Sequence, residues 1–263
     1  MAAKTALLVV SFDAYRDVWE PFFTLLFRYW PDCPFPVYLG SNHATYPDRR
    51  VMPLAIGDDR DWSSNLKKML EVLPADGVLL LQEDFLIDRP VQTERVSQFI
   101  KYAAARQAAC LRLMPIPGPD EACADQPELG LIRQGAEYRI SLQAAWWRKE
   151  SLAGILRTGE SPWQFERLGS RRSDELSAPF LCLRTGVDYP LDYYTTAVVR
   201  GYWEKGAVDL CRRENIPIDL RRRPMMPLRM RAERSLRRAG VPDRLARLLA
   251  MPLGLRSSAG GKS

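Results

Sequence analysis

The sequence predicts an α/β fold with a mostly parallel central sheet, because apolar strand-like runs alternate with segments of helical periodicity through residue 114. Thr5–Ser11 and Gly77–Leu81 are apolar runs of the kind expected of strands buried on both faces. Trp19–Trp30 and Asp61–Leu73 carry apolar residues at helical spacing. In such a sheet, ligands bind beyond the carboxyl ends of the strands.

The remaining elements follow from the same two periodicities. Further strands are predicted at Pro36–Gly40, Val51–Ile56, Cys110–Met114, Tyr138–Trp147 and Tyr193–Arg200. Further helices are predicted at Val91–Arg106, Lys149–Arg157 and Tyr202–Asn215. Residues 115–135 are rich in Pro, Gly and acids and are predicted to form a surface loop of the kind that covers a site.

Composition excludes several classes of protein. The five cysteines are scattered and never form a C-x-x-C pair, so neither a disulfide framework nor a zinc site is expected, and a cytoplasmic location is favoured. The single histidine, His43, lies in an early loop and is given no catalytic role, which disfavours hydrolase triads that need a histidine base. Neither a P-loop nor a G-x-G-x-x-G fingerprint is present.

Charge divides the chain unevenly. Beyond residue 220 there are 12 Lys and Arg against two acids, a balance of +10, which leaves −4 for residues 1–220 out of the total of +6. We therefore predict a catalytic domain at residues 1–220 and a basic, amphipathic helical tail at residues 221–263.

The tail contains two predicted helices, Leu228–Ala239 and Pro242–Met251. A basic amphipathic helix is typical of contact with an anionic membrane surface, and here it would place the protein peripherally at the inner membrane. The alternative is a helix packed against the acidic body. Nucleic acid is not expected as a partner, because the tail lacks interleaved aromatics.

Two adjacent carboxylates, Glu83 and Asp84, follow Gln82 at the end of the predicted strand Gly77–Leu81. Burying both unpaired would be costly, and a divalent cation removes the cost, because Mg²⁺ or Mn²⁺ is commonly held by one or two carboxylates and substrate phosphates. The alternative is that the acids cap a turn or pair with Arg89. The pattern predicts a metal site with Glu83 and Asp84 as ligands.

The order of elements over about residues 5–215 resembles the GT-A superfamily of nucleotide-sugar glycosyltransferases, and more narrowly the bacterial enzymes of surface-polysaccharide assembly. The segment Ser11-Phe12-Asp13-Ala14-Tyr15 looks like that family's nucleotide-binding loop. The resemblance implies a GT-A-like (Rossmann-like) fold, donor contacts from Ser11, Asp13 and Tyr15, and a donor contact from Asn65 on the helix before the acidic strand.

Gln82-Glu83-Asp84 resembles the family's Asp-x-Asp element, which holds the metal and the donor diphosphate. The resemblance therefore places Gln82 at the nucleotide sugar as well. Many metal-dependent members add a C-terminal histidine ligand, which this chain lacks. Either carboxylates, phosphates and water hold the metal alone, or a cation of the tail replaces it.

A second acidic segment, Glu160–Glu166, looks like the turn that carries the general base in inverting members of the superfamily. Glu166 is the counterpart that the resemblance implies, and Glu160 is its rival. Trp163 and Phe165 offer apolar faces on which a sugar ring could lie. The alternative is a plain capping segment with both aromatic residues in the core.

The predicted strand Tyr138–Trp147 alternates polar and apolar residues, which suits a strand with one face open to a cleft. Arg139, Ser141 and Gln143 would share that face and hydrogen-bond the hydroxyls of an acceptor; an ordinary amphipathic strand is the alternative. Arg171 and Arg172 are either phosphate contacts or solvated surface residues.

Together these features predict transfer of a sugar from a nucleoside diphosphate to a hydroxyl of a glycan or a lipid-linked acceptor. Inversion is favoured by Glu166 as a base, and retention stays open. A sugar-phosphate nucleotidyltransferase is one alternative, although it normally has a Gly-rich, basic loop after the first strand. A non-catalytic scaffold that docks through its basic tail is the other.

Overall fold

A computed structural model describes residues 4–251 of the chain. The strands are β1 Thr5–Val10, β2 Val37–Ser41, β3 Val51–Ala55, β4 Gly77–Gln82, β5 Leu86–Ile87, β6 Cys110–Arg112, β7 Glu121–Ala122, β8 Leu129–Leu131, β9 Ala145–Arg148, β10 Phe180–Leu183, β11 Tyr193–Tyr194, β12 Val198–Val199 and β13 Tyr202–Trp203.

The helices are α1 Arg16–Tyr29, α2 Trp62–Val72, α3 Thr93–Ala105, α4 Lys149–Ile155, α5 Pro162–Gln164, α6 Ser170–Ser173, α7 Lys205–Arg213, α8 Leu228–Arg238 and α9 Asp243–Ala250. A 3₁₀ turn, Asp13–Tyr15, precedes α1, and a π-helical turn, Phe165–Gly169, joins α5 to α6. We call the continuous helical segment from α5 to α6 the 162–173 helix.

The central sheet has nine strands in the order β3-β2-β1-β4-β9-β6-β10-β8-β7. Strands β1 to β4 run parallel to one another, whereas β9, which lies between β4 and β6, is antiparallel to both. Strand β10 is parallel to β6. This mixed, mostly parallel sheet flanked by helices confirms the predicted α/β fold class.

The centre of the sheet is built from the most apolar runs of the sequence. Strand β1 lies between β2 and β4, and its Leu7 and Leu8 are completely buried. Close packing demands a glycine at position 77, because a Cβ there would lie 2.5 Å from Nε1 of Trp146 and 2.8 Å from Oγ1 of Thr5. Those two atoms are hydrogen-bonded at 3.2 Å, which ties β9 to the start of β1.

The capping of α2 is confirmed. Asp61 is extended at the N-cap position, and its carboxylate accepts a hydrogen bond from the backbone N–H of Ser64 at 2.9 Å. Leu66, Met69 and Leu70 are buried, as their helical spacing predicts. The cap therefore fixes the residue at which α2 begins.

The predicted strand Tyr138–Trp147 is wrong for most of its length, since only β9 forms. The backbone N–H of Ile140 donates to Oγ of Ser170, and that of Leu142 donates to Oε1 of Glu166. Side chains of the 162–173 helix thus take the donors that a strand would pair with a neighbour. The alternation of polar and apolar residues therefore belongs to a segment that is hydrogen-bonded to the 162–173 helix and not to a neighbouring strand.

Three other predictions need adjustment. Residues 115–135 are not entirely loop, because they include β7 and β8. The predicted strand Tyr193–Arg200 is interrupted at Thr196, whose φ is +68°, and leaves the short strands β11 and β12. The predicted helix at Tyr202 begins only at Lys205, because Tyr202 and Trp203 pair with β12 as β13.

The chain divides into two compact units, residues 1–195 and 196–263, of which residues 4–195 and 196–251 are described. The second unit contains β12, β13 and α7 to α9. The predicted boundary after residue 220 marks a change of charge and stays a prediction. In the described part of the chain, no helix has both the length and the apolar character to cross a bilayer.

Candidate active site

Strand register brings the candidate donor residues to one edge of the sheet. Val10, near the end of β1, pairs with Gly40 of β2 on one side and with Gln82 of β4 on the other. The segments that follow these strands, 11–15, 42–44 and 83–84, therefore leave the sheet side by side. This is the carboxyl edge at which ligands of parallel sheets bind.

Gln82, Glu83 and Asp84 form a tight turn, closed by a 3.1 Å hydrogen bond from the backbone N–H of Phe85 to the carbonyl of Gln82. Glu83 is buried and Asp84 is half-buried. Nε2 of Gln82 is buried and donates no hydrogen bond to any group of residues 4–251. The turn thus combines two hard carboxylate ligands with an amide donor that has capacity for a ligand.

Carboxylate oxygens suit Mg²⁺ or Mn²⁺, so the donor set of Glu83 and Asp84 fits the expected metal chemically. Within residues 4–251 no three His, Cys, Asp or Glu side chains gather as a ligand cluster. A metal at this turn would therefore need oxygen ligands from a substrate or from water to complete its shell.

The polar groups of the 11–15 segment bind the protein itself. Oγ of Ser11 accepts a 2.7 Å hydrogen bond from Nε1 of Trp19. The carboxylate of Asp13 accepts from the backbone N–H groups of Asn42, His43 and Ala44, at 3.0 to 3.2 Å. Asp13 therefore fastens the loop after β1 to the loop after β2.

The aromatic residues of the same segment are less enclosed. Phe12 and Tyr15 are half-buried, and their ring centroids are 4.8 Å apart at an interplanar angle of 36°. They lie on the loop directly after β1, at the carboxyl edge. Their apolar faces are the feature of this loop best suited to a flat ring.

Asn65 is buried in the first turns of α2 and faces the loop that follows β3. Its side-chain Nδ2 donates to the carboxylate of Asp59, and its Oδ1 accepts from the backbone N–H of Arg60 at 3.4 Å. Asn65 thus fixes the loop between β3 and α2 rather than projecting freely from the helix.

Glu166 lies in the π-helical turn and reaches the same edge. Its Oε1 accepts a 2.8 Å hydrogen bond from the backbone N–H of Leu142. Leu142 lies just before β9, whose first residue, Ala145, pairs with Leu80 of β4 and with Arg112 of β6. The general-base candidate and the acidic turn after β4 therefore lie at one end of neighbouring strands.

The electrostatic surroundings of Glu166 suit a base. Burial raises the pKa of its carboxyl above the ordinary glutamate value. The hydrogen bond from Leu142 and the positive charge of Arg112 oppose that rise without cancelling it. A carboxylate with a raised pKa binds a proton more readily, which is the property that a general base needs.

Glu160, the rival base, is committed to an ion pair. Its two carboxylate oxygens accept from Nη1 and Nη2 of Arg172 at 2.8 and 2.6 Å, and its side chain is only 9% exposed. Its backbone N–H donates to Oγ of Ser63 at 3.0 Å. Glu160 and Arg172 join the loop before α5 to the 162–173 helix and to α2, so neither is available to a substrate.

Trp163 and Phe165 have different surroundings. Phe165 is completely buried and contacts Trp62, with ring centroids 5.4 Å apart, as the core alternative expected. Trp163 is 77% exposed, one turn of helix before Glu166. A capping box between Ser161 and Gln164 stabilises this turn, so the backbone that carries the exposed indole is held in place.

Arg139 and Gln143 were predicted to share one face of a strand, but neither residue lies in a strand, because β9 begins only at Ala145. Arg139 is buried, its Nη1 donates to the carbonyl of Ser173 at 2.6 Å, and its guanidinium lies 4.1 Å from the ring centroid of Phe180. Burial lowers its pKa. Its contacts are those of a packing residue.

Gln143 is connected through Tyr193 to Phe85, the residue that follows the acidic turn. Its Oε1 accepts a 2.8 Å hydrogen bond from the hydroxyl of Tyr193, which in turn accepts from the backbone N–H of Ala144. Tyr193 stacks on Phe85 at 4.6 Å, and burial raises its pKa well above the ordinary tyrosine value. Tyr193 was not foreseen as a site residue, because its partners are distant in sequence.

Arg112 is a second residue that the sequence did not reveal as part of the site. It is almost completely buried at the end of β6, where Nη1 donates to the carbonyl of Pro117 at 2.6 Å. Nη2 donates to the carbonyls of Tyr138 and Arg139 at 2.8 and 3.0 Å. The available signal was a charged residue directly after the apolar Cys110 and Leu111.

Comparisons with known proteins give similarities of structure. No protein-family model and no curated protein matches the chain. Residues 1–349 of S. aureus TarS are 13% identical, with a TM-score of 0.48 over 74% of this chain and 60% of that chain. The same fragment with UDP-GlcNAc is 12% identical, with a TM-score of 0.42 over 80% and 64%.

The bifunctional IspDF from Campylobacter jejuni is also 12% identical, with a TM-score of 0.42 over 74% of this chain and 52% of that chain. The present chain spans less than two thirds of the length of each of these proteins.

Proposed function

We propose that this protein is a glycosyltransferase that uses a nucleoside diphosphate sugar as donor and a hydroxyl of a glycan or a lipid-linked molecule as acceptor. The observation that carries the proposal is the shared sheet edge. The acidic turn after β4 and the carboxylate of Glu166 lie at the ends of neighbouring strands, linked through β9. Inverting transfer needs these two kinds of group on opposite sides of one sugar.

The donor diphosphate would lie at the turn of Gln82, Glu83 and Asp84. The two carboxylates would hold Mg²⁺ or Mn²⁺, which when bound neutralises charge on the departing diphosphate. The buried amide Nε2 of Gln82, which has no acceptor in the described part of the chain, would donate to an oxygen of the donor. This chain's own contribution would be to hold three polar residues in one turn at the end of a rigid strand.

The nucleotide would lie over the loop after β1. Tyr15, paired with Phe12, would give the base an apolar face, and stacking of this kind tolerates different bases. Ser11, Asp13 and Asn65 would shape the nucleotide-binding surface, because their side chains hold the three loops that border it. Their part in donor binding is therefore to fix backbone positions.

Glu166 would take the proton of the acceptor hydroxyl. The acceptor oxygen forms a bond to the anomeric carbon while the bond from that carbon to the diphosphate oxygen breaks, and its electron pair leaves with the diphosphate. The released proton stays on Glu166. The exposed indole of Trp163 would support the acceptor ring, and Gln143, oriented by Tyr193, would border the site.

A donor-turnover experiment tests the proposal. The full chain is incubated with a panel of nucleotide sugars and Mn²⁺, and release of nucleoside diphosphate is measured with and without glycan and lipid-linked acceptors. We expect one donor to be consumed, and Asp84→Ala to lower turnover about 100-fold or more because charge on the leaving group is no longer compensated.

Glu150→Ala is the matched control, since that carboxylate is 78% exposed and lies on α4. It should retain full turnover. No consumption of any donor by the intact chain would favour the non-catalytic scaffold, and equal turnover by Asp84→Ala would contradict the assignment of the acidic turn.

A further inference from the structure

Helix α9 presents its large apolar residues to solvent and its small ones to the protein. Ala246 and Ala250 are completely buried, whereas Leu245, Leu248 and Leu249 are 47%, 61% and 54% exposed. A helix that only stabilises the unit on which it lies would show the opposite arrangement, with leucine inside. The exposed residues therefore call for a partner that the alanines do not need.

The three leucines form one face. They recur at the i, i+3 and i+4 spacing that places side chains on a single side of a helix. Met251, the next residue after α9, is also half exposed. We call Leu245, Leu248 and Leu249 the leucine face. Scattered single apolar residues are normal on a surface, but a contiguous helical face is typical of interaction sites.

The segment around the leucine face is strongly basic. Residues 221–263 carry a balance of +10, as counted above, and Arg221, Arg222 and Arg229 are exposed. A second copy of the chain would bring an equally basic segment to this face and be repelled. An exposed apolar face within a basic segment is instead complementary to the acyl chains and anionic headgroups of a bilayer.

We propose that the leucine face enters the interface of an anionic membrane, with the exposed Arg221, Arg222 and Arg229 contacting lipid phosphates. This inference goes beyond the proposed transfer reaction and stands independently of it. It also distinguishes between two predictions for the tail, since the outward leucines favour a membrane-surface helix over one that is only packed.

Vesicle co-sedimentation of the full chain tests the proposal. Vesicles of phosphatidylcholine alone are compared with vesicles that contain phosphatidylglycerol in addition. We expect binding only to the anionic vesicles, weakened by added salt. Replacing all three leucines by serine should lower the partition coefficient about tenfold or more, because the buried apolar area sets the strength of interfacial binding.

Val72→Ser is the matched control, since Val72 is 60% exposed at the end of α2 in the other compact unit. It should bind like the parent. The single variant Leu248→Ser should show an intermediate loss and guards against misfolding of the triple variant, which the Tm of each protein monitors.

Equal vesicle binding by the parent and the triple variant would overturn the proposal. The proposal would also be overturned if the parent bound no vesicles and the triple variant had a lower Tm than the parent. That result would mean that the chain itself covers the leucines. A concentration-dependent dimer that the triple variant abolishes, again without vesicle binding, would assign the face to a second copy.

Discussion

Glu160 and Glu166 belong to the same short segment, yet their carboxylates have opposite surroundings. Both oxygens of Glu160 are neutralised by the fork of Arg172. Glu166 has one backbone donor, and burial raises its pKa. The difference separates a structural carboxylate from one that can accept a proton, and it could not be read from a sequence in which both are glutamates near a tryptophan.

Glu166→Gln tests the base directly. Glutamine preserves size and can still accept the hydrogen bond from Leu142, but it cannot take a proton. We expect kcat to fall about 10²–10⁴-fold, the usual contribution of a general base, while donor affinity hardly changes. A normal kcat in this variant, measured in steady-state assays with the donor found by the turnover panel, would remove Glu166 from the mechanism.

The pH profile gives a second measurement. Because burial raises the pKa of Glu166, the acidic limb of kcat/KM should lie above the range of an ordinary glutamate, with activity lost as pH falls through that raised pKa. The free energy of unfolding depends on pH in the opposite direction to the activity. The folded protein binds the proton more tightly than the unfolded chain, so the stabilising contribution of protonated Glu166 is lost as pH rises through the folded pKa.

Glu160→Gln is the control for this assignment. It leaves Arg172 without its carboxylate partner, so the free energy of unfolding should fall by about 3 kcal/mol. Per folded molecule, kcat should hardly change. If Glu160→Gln showed the large loss of kcat and Glu166→Gln did not, the roles of the two residues would be exchanged.

At the scale of elements, the site depends on how loops are attached to strand ends. Arg112, at the end of β6, donates to carbonyls in both the 114–118 and the 138–139 segments. Its charge also opposes the rise in the pKa of Glu166. We infer that Arg112 is a positioning residue, which acts on the reaction through the loops and through Glu166.

Arg112→Met should therefore change the pH dependence of the reaction. Removing the buried cation takes away one influence that lowers the pKa of Glu166, so the acidic limb of kcat/KM should move to higher pH. Stability should fall as well, because the backbone carbonyls lose charged donors.

Arg139→Met separates the two effects. Arg139 is also a buried arginine that donates to a backbone carbonyl, but its charge is not among the influences on Glu166. The Arg139→Met variant should have a lower free energy of unfolding, and the acidic limb of its kcat/KM profile should stay at the same pH as in the parent. An unmoved limb in Arg112→Met would reduce Arg112 to a structural role.

The elements that sequence predicted best are those with a clear apolar period. Strands β1 to β4 and helices α1 to α3 were predicted to within a few residues, because burial on both faces or on one face dictates their patterns. The failure at residues 138–144 has a local cause. There, polar and apolar residues alternate without a strand partner, and the backbone is satisfied by Ser170 and Glu166.

At the scale of the whole molecule, the sequence predicted the acidic edge of the sheet, because an apolar run followed directly by two acids can be recognised in the sequence. It did not predict the contacts that join distant segments, such as Glu160 with Ser63 or Gln143 with Tyr193. Such pairs depend on the order of strands in the sheet. The insertion of β9 between β4 and β6 is a property of that order, and it places Leu142, the partner of Glu166, at the same end of the sheet as the acidic turn.

Calorimetric titration tests the central claim, that the turn of Gln82, Glu83 and Asp84 receives a nucleoside diphosphate. UDP and GDP are titrated into the full chain with and without Mn²⁺, and into Asp84→Ala and Glu150→Ala under the same conditions. We predict that one of the two nucleotides binds, that Mn²⁺ tightens its binding, and that Asp84→Ala weakens the metal-dependent binding about tenfold or more, with Glu150→Ala unchanged. Binding that is indifferent to Mn²⁺ and equal in Asp84→Ala, or no binding of either nucleotide, would contradict the claim.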